Sequence, residues 1–445
     1  MIEQLTAQQR KVAYLVGIVV LMVPIILLGM PATDEANSGG QLARLRQTHD
    51  LGESTLGKVD PTSATMNLVL LGMRGIAVNL LRMELDTQKD RKQWAQMRAT
   101  TESVILLQPH YIQVWRYLGW NLAYNVSAEW DAVEDRYFWV KEGAKFLMQG
   151  AERNRKHPEV YWETGRTLGQ KIGRADEWKH FRKFFKIDPD KERYPNGPDS
   201  EVNPEGRDNY LVAKKWYQDA NDAEERHEQH IMMRALFRSY PARSQLDYAE
   251  ALQKEGLFDE TTRTAWDQAY RDWVEGFGKM IFQEDNPTFE IFLEAYDKDI
   301  DQIAETFKVD RAQVDRAIDL HQKVSNYKFW RTKAHAEKQS NTLGVHRELY
   351  EAEQLFKKGD LESSQEALES GLKKYELMLE NYPDLGMDDN TLEEGLWAVM
   401  LWQKIYQLKN QIQPEEFPLK ELWEREAGRI PNIQQDFNRR YGPSS

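Results

Sequence analysis

From Thr65 onward, apolar residues recur at spacings of three and four almost without a break, and a strict polar–apolar alternation is hard to find anywhere. This restricts the chain to helices packed on helices, because a 3.6-residue period buries one stripe of a helix whereas a half-buried strand needs a period of two. Leu68, Leu71, Gly72, Ile76, Asn79, Leu80 and Met83 keep the spacing on a first helix, with Thr62 or Ser63 to cap it; Trp94, Met97, Thr101, Val104 and Leu107 keep it on a second. The 14 Trp, 19 Tyr and 16 Phe are scattered along the chain, and large aromatics in a strand-poor sequence fill the wedges between helices. The expected class is all-α.

One segment departs from this amphipathic pattern. Val12 to Met30, VAYLVGIVVLMVPIILLGM, is an uninterrupted apolar run that matches the roughly 20 residues needed to cross a hydrocarbon core of ~30 Å. A cleaved signal peptide would have a shorter apolar region and a small-x-small site, and the following GMPATDEANSGG offers no convincing one. Arg10 and Lys11 precede the run and Asp34 and Glu35 follow it. The positive-inside tendency therefore predicts a cytoplasmic N-terminus and a periplasmic or otherwise extracytoplasmic body, held at the cytoplasmic membrane by a single pass. The remainder is strongly hydrophilic, with a mean hydropathy of -0.72 even when the apolar run is included.

The organisation follows from composition shifts: a short tail over 1–11, an anchor over 12–31, a Gly-, Ser- and Pro-containing tether over 32–62, and a helical block over 63–190. A break dense in Pro, Gly and Asp covers 191–208, a second helical block covers 209–409, and a C-terminal helix and tail cover 410–445. The block Gly395 to Lys409 is apolar on most faces yet shorter than a span and carries Lys404, so a buried helix is expected. The last residues, PNIQQDFNRRYGPSS, read as a frayed tail.

Four stretches share a repeat pattern. Trp115, Leu118, Gly119 and Leu122 follow Pro109; Tyr161, Thr164, Gly165, Leu168, Phe181 and Phe184 end at Pro189; Ala249, Leu252, Gly256, Phe258 and Ala265 form a third set; Ala352, Leu355, Gly359, Ala367 and Leu368 form a fourth. Small residues let paired helices approach, aromatics fill the wedge, and glycines turn the chain. The pattern resembles the tetratricopeptide superfamily, with degenerate spacing. The blocks LLGMRGIAVNLL, LQPHYIQVWRYLGWNLAYNVSAEWDAVEDRYFWVKEGAKFL and HPEVYWETGRTLGQKIGRADE also resemble a family of bacterial membrane-anchored helical-repeat proteins. The resemblance implies a tetratricopeptide-like helical-hairpin solenoid behind a single transmembrane helix, and a role in holding other molecules. It brings no catalytic residues.

A net charge of -13 argues against nucleic-acid binding, which calls for a basic face. The absence of cysteine excludes disulfides, thiol nucleophiles and thiolate metal sites. Phosphate-loop, dinucleotide and nucleophile-elbow motifs are missing as well. Glu129, Asp131, Glu134 and Asp135 offer paired carboxylates of the kind glycosidases use, but read more simply as a solvated helix start favoured by the helix dipole. His227 and His230 share a helical face beside Glu224 and Glu225, yet lack a zinc signature. Ile300 to Leu320 reads as helix–turn–helix, but Asp310, Asp315 and Asp319 offset Arg311 and Arg316 where DNA recognition needs a basic helix.

The inward positions of two consecutive repeat units remain. Arg116, Trp120 and Tyr124, then Trp162, Arg166 and Gln170, form the expected binding groove, suited to an extended peptide or a carboxylate. The expectation is a non-enzymatic scaffold or adaptor for membrane or envelope proteins, with no cofactor and no metal. An α-helical toroid enzyme acting on glycans through the acidic loop, and a self-assembling envelope component, are the alternatives.

Overall fold

The computed structural model describes residues 74–107, 111–227 and 231–442, with scattered positions between 8 and 24. The expected anchor falls almost wholly outside the described residues, and the tether entirely so. Among the described residues, no helix is long and apolar enough to cross a membrane. The chain divides into two compact units, 1–114 and 115–445.

In the first unit, α1 (Arg74–Asp90) and α2 (Trp94–Leu107) form an antiparallel hairpin. Met97, Thr101 and Val104 are buried on α2 as their spacing predicts, but on α1 the buried stripe is Val78, Leu85 and Gln88. Leu80 and Met83, expected inside, are exposed. Gln88 explains the offset: its amide reaches both Glu84 (2.9 Å) and Thr100 on the facing helix (3.0 Å), so a polar residue takes a core-facing position.

The second unit is mostly helical. Helix α3 (Ile112–Trp120) enters it at Trp115 and continues through a π-helical segment, Asn121–Val126, before α4 (Val133–Arg153) folds back. Glycine makes this pairing possible: a Cβ on Gly143 would stand 2.7 Å from the Gly119 carbonyl oxygen, and Gly150 lies under the Trp115 ring. Helix α5 (Pro158–Arg166) likewise runs into a π segment, Thr167–Lys171, and a last turn, Ile172–Arg174. After α6 (Trp178–Lys186), residues 191–208 are tied down rather than swung free. Lys141 lies 2.6 Å from Asp188 and 3.2 Å from Asp199, while Lys145 is 2.7 Å from Asp199. The Asn203 amide donates to the carbonyls of Phe185 and Arg207.

Helices α7 (Asn209–Arg226), α8 (Arg234–Lys254) and α9 (Glu260–Arg271) come next, then a correction to a strand-free reading. Strands β1 (Phe282–Asp285) and β2 (Thr288–Ile291) pair antiparallel around Pro287, with Phe282 opposite Ile291. Phe282, Phe289, Ile291 and Leu293 enter a core with Trp266, Trp273 and Tyr327. Helices α10 (Asp297–Phe307) and α11 (Arg311–Ser325) pack on that core through Ile300, Ile303, Val314 and Ile318. Arg311, first residue of the supposed recognition helix, is paired with Asp297 and Asp301.

Helices α12 (Tyr327–Glu337), α13 (Ser340–Lys357), α14 (Leu361–Asn381), α15 (Asp389–Leu408), α16 (Lys420–Arg425) and α17 (Ile430–Tyr441) complete the chain. The apolar block on α15 is buried as expected, with Leu396, Val399, Trp402 and Ile405 inside. The C-terminal tail is not frayed through Tyr441: Ile433 and Phe437 are buried, and Phe437 meets Trp397 edge-on at 5.4 Å. Gly256 and Gly359 adopt φ of +83° and +84° just past α8 and α13, the left-handed turn predicted for those glycines. Asp208, Asp259, Asp310, Asp360 and Asp388 each accept a backbone N–H as N-caps, so part of the acidic excess is helix capping.

Candidate functional site

Of the six residues singled out by spacing, Arg116 and Arg166 meet at Glu163, Trp162 lies beside Arg166, and Trp120 stacks on Tyr124 at a π segment. A π turn adds a residue to the helix and rotates the residues beyond it, and such turns concentrate at functional sites. Those at 121–126 and 167–171 pack on one another. Arg116 lies 2.9 Å from one oxygen of Glu163 and Arg166 lies 3.5 Å from the other. Two guanidiniums with five N–H donors each thus share one carboxylate, and both remain about one-third exposed. The Arg166 guanidinium sits 5.7 Å from the Trp162 ring, which meets Tyr240 edge-on at 5.0 Å. Trp120 and Tyr124 stack with centroids 5.8 Å apart, and Lys171 Nζ lies 5.0 Å from the Tyr124 ring.

Burial pushes the Tyr124 hydroxyl up from its ordinary value, with Arg166 opposing. Burial lowers Lys171, with Glu177 opposing. Trp162 Nε1 and Arg116 Nε are buried without a hydrogen-bond partner, and the Gln170 side chain makes no hydrogen bond among the described residues. The result is a strip of aromatic faces and three cations set against one carboxylate, able to stack on apolar groups and to receive an anion.

The acidic loop is placed differently. Glu134 and Asp135 occupy the first turn of α4, Glu129 and Asp131 precede it, and all four are exposed. His227 lies at the C-cap of α7, and His230 lies outside the described residues. Glu224 faces inward and pairs with Arg234 and Arg238. Among the described residues, no group of His, Asp and Glu could hold a metal ion.

A second feature escapes the sequence. A cavity of about 1100 Å³ opens between α6, α8, α12, α13, α15 and α17. Its floor is a buried charge network. Lys333 lies 2.6 Å from Glu250 and 3.1 Å from Asp388. His346 is held between Glu394, 2.8 Å from Nδ1, and Glu337, 3.2 Å from Nε2. Gln253 donates to Glu337 at 2.9 Å, and Tyr375 to Glu394 at 3.2 Å. Burial alone would raise Glu250, but Lys333 leads the cations that bring it down to about 2. Burial opposes the charge on His346, yet Glu337 and Glu394 hold its pKa well above the ordinary value. Both imidazole nitrogens face carboxylates, an arrangement that favours the protonated ring. One signal was visible: Lys333 and Glu337 stand four apart on α12, a spacing that reads as a surface pair.

No known protein family, curated protein or solved structure matches the chain.

Proposed function

We propose that the protein is a non-catalytic scaffold or adaptor, anchored in the cytoplasmic membrane by Val12 to Met30 and carrying a tetratricopeptide-like solenoid outside the cytoplasm. It binds membrane or envelope proteins through the strip of Arg116, Trp120, Tyr124, Trp162, Arg166 and Gln170. The observation that carries this reading is the convergence of these side chains, with two partly exposed guanidiniums sharing Glu163 beside stacked aromatic rings. Such a surface suits an extended segment bearing a carboxylate and an apolar residue: the guanidinium forks take the carboxylate and the rings take the apolar group. Anchoring raises the effective concentration of both partners at the membrane, so modest affinity suffices.

The test is crosslinking capture on the full-length anchored protein, with Arg116→Glu/Arg166→Glu alongside. The expected result is a defined set of envelope proteins that the double variant loses while its thermal stability holds. Capture of the same proteins by both forms would remove the strip from the account.

A further inference from the structure

The cavity between α6, α8, α12, α13, α15 and α17 has a layered chemistry that the strip does not share. Its mouth carries lysines: among the described residues, Lys183 on α6 and Lys254 on α8 have no carboxylate within ion-pairing distance. Lys179 Nζ lies 5.5 Å from the centre of the Trp178 ring. Its walls carry Trp178, Phe258, Tyr350 and Trp397, interleaved with Gln354 and Asn390. Its floor carries carboxylates in excess of cations, with Glu394 still 37% exposed.

The buried floor groups are paired among themselves, with Lys333 Nζ 2.6 Å from Glu250 Oε1 and His346 Nε2 3.2 Å from Glu337. A floor that sets carboxylates beside N–H donors suits a partner that both donates and accepts.

We propose that this cavity binds an acidic oligosaccharide, with rings bearing hydroxyls and carboxylates. Sugar hydroxyls donate to the floor carboxylates and accept from amide and imidazole N–H groups. The flat faces of the rings pack on the aromatic walls. The ligand's carboxylates meet the unpaired lysines at the mouth. A phosphate chain or a run of acidic side chains would use the lysines but would be repelled by the floor, where Glu250, Glu337 and Glu394 outnumber Lys333 and His346. The volume of about 1100 Å³ slightly exceeds the roughly 300–1,000 Å³ of drug-sized ligand sites and accommodates several linked rings.

The experiment is calorimetric titration of full-length protein in detergent with a galacturonate hexamer, a neutral galactose hexamer and hexaglutamate. The galacturonate hexamer should bind, with affinity falling as salt is raised. Lys183→Glu/Lys254→Glu should weaken it by about tenfold or more. Glu394→Gln, which keeps the side chain's shape, should weaken it without altering the salt dependence. Arg116→Glu/Arg166→Glu should leave it unchanged, so this site and the strip stand or fall separately. No binding of the galacturonate hexamer, undiminished binding by the lysine variant, or equal binding of hexaglutamate or of the neutral hexamer would overturn the proposal.

Discussion

Lys333 is buried beside two carboxylates, and its neighbour Glu337 is buried against His346. Charges taken out of water are tolerated only while their partners remain, so removing the central cation should cost far more than removing a surface lysine. Lys333→Met is expected to destabilise the fold by about 3–5 kcal/mol in denaturant titration; a loss no larger than that of an exposed pair would show that the network carries little. His346 adds a pH signature. Its folded pKa lies above the ordinary 6.5, so its contribution is fully present below that value and is lost as pH rises through the raised one. The stability gap between wild type and His346→Gln should therefore be widest near about pH 6 and close toward alkaline pH. A gap that widened with pH would reverse the assignment. Apart from the four-residue spacing of Lys333 and Glu337, this network was not legible in the sequence. His346 is an isolated histidine, and a Lys and Glu four apart look alike on a solvated face and in a core; only neighbours distant in the chain decide which they are.

At the scale of elements, the helical pattern was legible where one face meets one partner. Met97, Thr101 and Val104, the apolar block of α15 and the glycine turns at 256 and 359 all followed from spacing and chemistry. The β1–β2 hairpin did not, because Phe289, Ile291 and Leu293 alternate over only five residues and the intervening Phe292 is apolar and half-buried against the same core. The π segments at 121–126 and 167–171 leave no pattern of their own. Close helix contacts give a prediction with a change of sign. Gly143→Ala places a Cβ 2.7 Å from a backbone oxygen and should cost about 1–3 kcal/mol. Gly344→Ala, in the helix α13 with nothing within 4 Å, should stabilise by about 0.5–1 kcal/mol, because alanine loses less backbone freedom on folding. Equal effects in thermal unfolding would deny that α3 and α4 are held together through Gly143.

For the whole molecule, the lack of cysteine makes topology directly measurable. A membrane-impermeant maleimide should label Lys215→Cys, on the exposed face of α7, in spheroplasts, and should label Gln4→Cys only after permeabilisation. The opposite pattern would invert the molecule. Arg116, Trp120, Tyr124, Trp162, Arg166 and Gln170 were picked out from sequence spacing alone, and their service as a binding strip is a proposal. The cavity was not legible, because six helices spread over most of the second unit build it. Binding through the strip is tested by a photo-crosslinking residue at Trp120, compared with one at the exposed Leu377, in cells making the full-length protein. A discrete protein adduct is expected from position 120, abolished by Arg116→Glu/Arg166→Glu, and none from 377. Absence of an adduct at 120, or the same adduct from both positions, would contradict binding through the strip.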